Sequence, residues 1–334
     1  MNAERLAALL DQFPRQTVLV VGDYFLDKYL DLDPALSETS LETGLEAYQV
    51  ARVRRYPGAA GTVVNNLRAL DVNVLALSVI GHDGEGDDLL RALAHLGVPG
   101  DGLLRAEDRF TPTYLKPMLL STQPGAPARE LNRLDTKNRA PLPAALEAEV
   151  ITRLRALLPH VQGVVISDQA TEANCGVITD AVRAELAALA AAHPAVPFAA
   201  DSRGRIGLFR QVIIKPNAHE AAAATGLPAP APAGLALRRL TTRPVVVTQG
   251  DQGVYLYDDA GEQHVPAVPV TGPIDVCGAG DSTMAGLIAT LCAGGALAEA
   301  ALVGNLTASL TIQQLGVTGT ATRAQVLARL ADLQ

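Results

Sequence analysis

The sequence has no excess of positive charge. Its 27 Lys and Arg are outnumbered by 35 Asp and Glu, giving a net charge of −8. Such a chain repels a phosphate backbone, which excludes nucleic-acid binding, although a few local Arg or Lys residues can still hold a small anion. Cysteine is scarce as well. Cys175, Cys277 and Cys292 have no metal-ligand spacing, and their odd number leaves no complete disulfide framework, so a reducing, cytoplasmic setting is expected. No run reaches the roughly 18 consecutive apolar residues of a membrane span. The opening "MNAERLAALLDQFPRQ" has Leu6, Leu9, Leu10 and Phe13 at helical spacing but no apolar signal-peptide segment. No internal repeat and no G-x-x-x-x-G-K-[ST] phosphate loop occurs.

What is present is apolar and regularly punctuated. With 49% hydrophobic residues in 334, the chain can bury a large core, either one domain with a small appendage or two modest domains. "TVLVVGD" reads as a buried strand, "GTVVNNLRAL" as a helix, "VNVLALSVIG" as a strand and "EGDDLLRALAHLG" as a helix ended by Gly97. From 143 the alternation is regular. Helices are predicted at 144–158 and 174–192, around the strands "GVVIS", "VPFAAD" and "QVIIKPN", with another from 218. "RPVVVTQG", "GVYLYD" and "EQHVPAV" then give strands, before helices at 279–295, 297–314 and 322–333. This alternation predicts an α/β fold with a mostly parallel sheet. Segments 28–56 and 103–135 lack a helical stripe and are predicted to pair as a small accessory sheet, with "STQPGAPARE" flexible. "LPAPAPAG" is read as a loop. Ligands of such sheets lie beyond the carboxyl ends of the strands. One rim would therefore gather Asp27, Asp83, Asp168, Asp201, Asn217, Gly250 and the 275–281 loop.

The loop "DVCGAGDST" (275–283) carries the chemistry. Gly278, Ala279 and Gly280 open an apolar helix, where free N–H groups and the helix dipole favour an anion. A carboxylate there, Asp281, repels that anion unless it acts, and its economical role is general base for a hydroxyl during phosphoryl transfer. The plain alternative is a helix start, with glycine for the turn and Asp in the first turn.

The loop has company along the chain: "VVGDYFLD", "YPGAAGTVVNNLRAL", "VIGHDGEGDDLL", "IIKPNAHE" and "VVVTQGDQGVYLY". In this order the set resembles the ribokinase-like, pfkB-type carbohydrate kinases, whose signature commonly reads D-T-x-G-A-G-D. "RLD" at 133–135 and the Ser-Asp of "VVISDQATEANCGVITDAV" resemble the heptose-phosphate kinase branch. The resemblance implies a three-layer α/β/α sandwich with a small β-sheet lid inside one kinase domain. It implies an ATP- and Mg²⁺-dependent kinase of a sugar or sugar phosphate, with Asp281 as base and 278–280 as the γ-phosphate hole. Asn217 and Glu220 match the residues arranging Mg²⁺ and its waters. Thr248 and Gly250 match positions at the ATP phosphates and ribose, and Asn305 one beside the adenine. Asp275, with carbonyls around Ile312 to Gly316, matches a monovalent-cation (K⁺) site.

On the acceptor side the resemblance assigns sugar contacts to Asp27 and Asp23 and a close backbone approach to Gly58. Lys116, Arg133 and Asp168 match polar positions, where Lys or Arg suits a substrate phosphate. Three departures stand out. Ala59 replaces the second glycine of the usual Gly-Gly, Thr62 replaces an asparagine, and Gln169 stands where the heptose branch has an aromatic. Cys277 is expected to be a small buried residue, while Asp83 and Gly86 are expected to be structural. A surface ion pair is as good a reading of Arg133 as phosphate binding. A nucleoside or other sugar acceptor, or a binding protein without turnover, are the alternatives. No second catalytic domain is expected within the 334 residues, and the lid is expected to pair two subunits.

Overall fold

The alternation of apolar residues sorts the core into two layers on either side of one sheet. In the strand Thr17–Gly22, Val18 and Val20 pack into one hydrophobic layer and Leu19 and Val21 into the other. The computed structural model describes residues 1–123 and 128–333. Nine strands form the main sheet in the order Gly261–Val265, Val254–Asp258, Val245–Thr248, Ile213–Ile214, Phe198–Ser202, Gly163–Asp168, Thr17–Gly22, Asn73–Gly81 and Leu103–Ala106. The first two neighbouring pairs in this order are antiparallel and all the others are parallel. Helices Ala60–Ala69, Ala279–Cys292, Leu297–Thr311 and Arg323–Ala331 contribute buried residues to one face, and Ala144–Leu157, Asp180–Ala192 and Ala231–Thr241 to the other. The chain builds outward in both directions from Thr17–Gly22, so strand order reverses between it and Gly163–Asp168. A crevice opens at such a switch point.

A second sheet leaves from that crevice. Tyr24–Leu32 pairs antiparallel with Val50–Ala59 and parallel with Thr113–Leu119, which also pairs Leu134–Thr136 and Arg129–Glu130. The accessory sheet expected from 28–56 and 103–135 is therefore present with shifted bounds. It takes in 24–27 and 57–59 but not Leu103–Ala106, whose apolar side chains complete the main sheet beside Ser78–Gly81. Residues 124–127, within the stretch read as flexible, lie outside the described residues.

Two other bounds move for local reasons. The helix predicted from 174 begins at Asp180, where the Thr179 hydroxyl accepts the Val182 N–H as its cap. "LPAPAPAG" is only half loop. The helix Ala231–Thr241 starts within it, since Pro232 sits in the first turn where its missing N–H is harmless.

Candidate active site

The loop 275–281 closes one wall of a cleft of about 510 Å³, into which Thr248, Gly250, Ala279, Gly280 and Asn305 all face. Gly278 precedes the helix Ala279–Cys292 with φ +79, a left-handed conformation that costs a side chain energy. A Cβ there would also lie 3.2 Å from the Thr318 methyl and 3.3 Å from that of Thr62. The three amides expected to form the anion hole divide. Ala279 donates its N–H to the Val276 carbonyl at 3.1 Å, so it is not free. The N–H groups of Gly278, Gly280 and Asp281 have no protein acceptor among the described residues. Asn305 forms cleft wall through its amide, which donates to the carbonyls of Pro266 (2.9 Å) and Val265 (3.3 Å).

Asp281 directly follows Gly280 of the cleft wall. Burial pushes its carboxyl up to about 7, and Asp201 pushes the same way, against the opposing pull of Lys215 and Arg203. Lys215 is buried with Nζ 2.7 Å from Asp201 Oδ2. Burial alone would lower its pKa, but Asp201, with Glu220 and Asp281 beyond it, holds it above the usual lysine range. Asn217 and Glu220 form a reciprocal cap on the helix Ala218–Thr225. Asn217 Oδ1 accepts the Glu220 N–H and Glu220 Oε2 accepts the Asn217 N–H, both at 2.8 Å. A β-bridge to Thr248 sets this cap beside the cleft. Burial raises the Glu220 carboxyl, and Asp201 adds to it. Among the described residues no cluster of three or more His, Cys, Asp or Glu chelates a metal directly.

Asp275 ties the loop down. Its carboxylate accepts the N–H of Cys277 (3.0 Å) and of Gly316 (3.1 Å), and its own N–H donates to Ile312 at 2.7 Å. Both carboxylate oxygens are thus engaged in the region expected to hold a monovalent cation. Cys277, expected to be buried, is exposed.

The acceptor-side aspartates separate sharply. Asp27 lies on the small sheet, 3.3 Å from Lys116 Nζ, and Lys116 also donates to the Tyr29 hydroxyl at 3.0 Å. Burial raises the Asp27 carboxyl, opposed by Lys116 and Arg133. A Cβ on Gly58 would lie 2.8 Å from Asp27 Oδ2, so this glycine makes room for a carboxylate rather than for a sugar. Asp23 and Asp168, the other two acidic residues expected on the acceptor side, are engaged with the protein itself. Asp23 is buried and accepts the N–H groups of Gln169, Ala170 and Val177, each at 2.7 Å. Asp168 is fully buried, accepting from the Ser202 hydroxyl at 2.6 Å and pairing with Arg205. Both brace the crevice, Asp23 from the wall of a second cavity and Asp168 from full burial. Asp83 is structural as expected: its carboxylate caps the helix Gly84–His95 through the Gly86 N–H and accepts from Thr111.

Arg133 is half-exposed, paired in bidentate fashion with Asp135 (2.6 and 2.9 Å), and its guanidinium lies 4.2 Å from the centre of the Tyr114 ring. Two residues the motifs did not single out join it. Lys137 Nζ is 5.7 Å from the same ring centre, and Arg203 donates to the Tyr114 hydroxyl at 3.4 Å. Three cations from two segments, Arg133 and Lys137 flanking Leu134–Thr136 and Arg203 following Phe198–Ser202, thus surround one tyrosine beside Asp27, which pairs with Tyr114 across the strands. Lys215 and Arg203 were also missed as site residues. The available signals were a lysine directly before Pro216-Asn217 and an arginine directly after a strand-end Asp-Ser.

The departures have structural consequences. Ala59 takes φ +54, ψ −119, a conformation suited to glycine. Thr62 is buried with its methyl group against Gly278. Asn66 is fully buried; its amide donates to the Thr62 carbonyl at 3.0 Å, which leaves its side-chain oxygen without a partner among the described residues.

Known proteins resemble this chain in sequence and fold. The sequence pattern of the pfkB family carbohydrate kinases matches residues 25–323. Bifunctional protein HldE of Pelobacter propionicus is 30% identical over 341 residues, covering 99% of this chain and 66% of its own length. That of Hyphomonas neptunium is 30% identical over 96% of this chain and 64% of its own length. The chain spans just under two thirds of the length of these relatives. Among solved structures, Arabidopsis thaliana ribokinase complexed with ribose and ATP superposes with a TM-score of 0.68 at 19% identity, covering 94% of this chain and 98% of that one. A putative sugar kinase from Clostridium perfringens gives 0.70 at 19% identity, covering 95% and 96%. The fold is that of the ribokinases, and the matched sequence spans most of the chain. It belongs to the pfkB family of carbohydrate kinases, which are ATP-dependent phosphotransferases.

Proposed function

We propose that the chain transfers the γ-phosphoryl group of ATP to a hydroxyl of a sugar phosphate of the heptose-phosphate type. The observation that carries the reaction is Asp281, a carboxyl held at about 7 next to Gly280 of the cleft wall, with backbone N–H groups that have no acceptor among the described residues. As a carboxylate it accepts the proton of the acceptor hydroxyl. The oxygen then attacks the γ-phosphorus, and the bond to the leaving ADP oxygen breaks. The N–H groups of Gly280 and Asp281 meet the developing charge without reorganisation. ATP lies along Thr248, Gly250 and Asn305.

Asp201, Glu220 and Asp281 outnumber Lys215 and Arg203, so their surroundings favour a divalent cation held through waters. Magnesium keeps its waters and needs few direct ligands. Glu220 and Asn217 would hold it that way, and when bound it neutralises charge on the phosphates. The Asp275 carboxylate is already engaged with two N–H groups, so no step is assigned to a monovalent ion there.

The three cations around Tyr114 support a phosphorylated acceptor, with Asp27 taking its hydroxyls. In this reading the small sheet is the lid of one kinase domain and excludes water from the reacting groups. Leu41, Leu45 and Tyr48, exposed beside it, form the surface through which two copies would pair. ADP release measured over a panel of sugars, sugar phosphates and nucleosides tests the reading. Turnover is expected on a sugar phosphate and is lost in Asp281→Asn. Turnover on nucleosides or free sugars alone would overturn the acceptor class, and nucleotide binding without any turnover would overturn the reaction.

A further inference from the structure

Lys215 sits where a buried ammonium needs a reason. It ends the short strand Ile213–Ile214, is 3% exposed, and has one ion-pair partner, Asp201, at 2.7 Å. Burying a charge is unfavourable unless it is well partnered. An ammonium carries three donors, and Asp201 is its only hydrogen-bonding partner among the described residues. The surplus donors lie against the anion-hole loop. A Cβ built on Gly280 would come 3.4 Å from Lys215 Nζ, with no other atom beyond its own helix turn within 4 Å. The Gly280 and Asp281 N–H groups beside it also lack acceptors. Donors from a strand end and a helix start thus converge on one small volume, a geometry that suits a tetrahedral anion.

We propose that Lys215 is a catalytic residue that grips the γ-phosphoryl group from the far side of Gly280, and that Asp201 is the positioning residue that aims it. This rests on the reading of the cleft as the ATP site. In this role Asp201 works through the lysine, fixing one of its protons and leaving the others to the phosphoryl oxygens. A positive charge held there is matched to the transferring group and absent from any contact with ADP. Glycine at 280 is then required twice, for the free N–H and for room beside the ammonium.

The test compares Lys215→Met, Lys215→Arg and Asp201→Asn with the unaltered chain. The readouts are kcat and the affinities for ADP and for a non-hydrolysable ATP analogue, measured by calorimetry. Lys215→Met is expected to lower kcat by about 10²–10³-fold. Its affinity for the ATP analogue should fall by about tenfold, as loss of a charge-assisted hydrogen bond does, while ADP affinity is unchanged. Lys215→Arg should recover part of both losses, and Asp201→Asn should lower kcat more than it alters KM. Equal losses for ADP and the analogue, or a lowered melting temperature with kcat intact, would overturn the assignment. If Lys215→Met does not fold, the Arg and Asn variants carry the same comparison, and analogue affinity unchanged in both overturns it. Failure of the unaltered chain to bind either nucleotide would instead remove the ATP-site reading itself, and the assignment with it.

Discussion

Replacing Asp281 with asparagine should abolish turnover and, above neutral pH, stabilise the protein. The two effects have one cause. The Asp281 carboxyl is moved from its ordinary 3.8 to about 7, first by burial and then by Asp201. Each pH unit of displacement is worth about 1.4 kcal/mol. Ionised Asp281 therefore destabilises the fold by at most about 4 kcal/mol at pH 8, in the linkage sense. The sign follows from the raised pKa: the folded state holds the proton more tightly than the unfolded chain. The protonated form's advantage is fully present below 3.8 and is lost as pH rises through about 7. Asparagine has no charge to ionise, so its stability gain is largest at pH 8 and shrinks towards zero as pH falls to 4. Denaturant melts of both proteins at pH 4, 6 and 8 read this directly. Over the same range, unaltered kcat should climb with pH to a plateau above 7, with about a tenth of the maximum left at pH 6. The asparagine variant should lose about 10²–10⁴-fold. A plain helix-start carboxylate predicts the reverse, a loss of about 0.3–1 kcal/mol on substitution. A variant that is less stable at pH 8, or retains its rate, would refute the reasoning.

Ala59→Gly should raise the melting temperature. Relief of backbone strain is worth about 1–3 kcal/mol and exceeds the roughly 0.4–1 kcal/mol entropy cost of glycine, leaving about 1 kcal/mol, or about 2 °C by calorimetry; a fall would show that the conformation suits alanine. Gly58→Ala places its Cβ 2.8 Å from Asp27 Oδ2, so KM for the acceptor should rise while ATP affinity holds, and a selective ATP defect would contradict this. Removing two of the cations at Tyr114, in Arg133→Met with Lys137→Met, should raise KM for a phosphorylated acceptor by about 10- to 100-fold, from one or two lost charge-assisted bonds. An equal rise for an unphosphorylated analogue would deny a phosphate contact.

Much of the fold was legible because it rests on periodicity. The two-residue alternation of Val18, Leu19, Val20 and Val21 sends successive side chains to opposite layers, and this needs no long-range information. The reading of 278–281 was local too, since glycine before an apolar helix leaves N–H groups free wherever the helix packs. Even there, the Ala279 N–H bond to Val276 depends on a turn the residue types do not announce. The boundary at 103 went wrong for the opposite reason. Leu103–Ala106 reads like its neighbours, and only the available edge beside Ser78–Gly81 decides which sheet it joins.

The site shows the same division. By itself the sequence determined the kinase family and the approximate place of most main-sheet strands, because short motifs and alternating apolar residues carry that information within a few positions. Asp23, Asp27 and Asp168 are indistinguishable at that range. Only the tertiary structure decided that Asp23 caps three N–H groups, that Asp168 locks Arg205, and that Asp27 alone faces Lys116 beside the cleft. Arg203 reaches Tyr114 from 89 residues along the chain, and Lys215 and Asp201 meet from the ends of two neighbouring strands. Their charges meet because parallel strands end on one rim, and a side chain's partners follow from that crossing rather than from its neighbours in the chain.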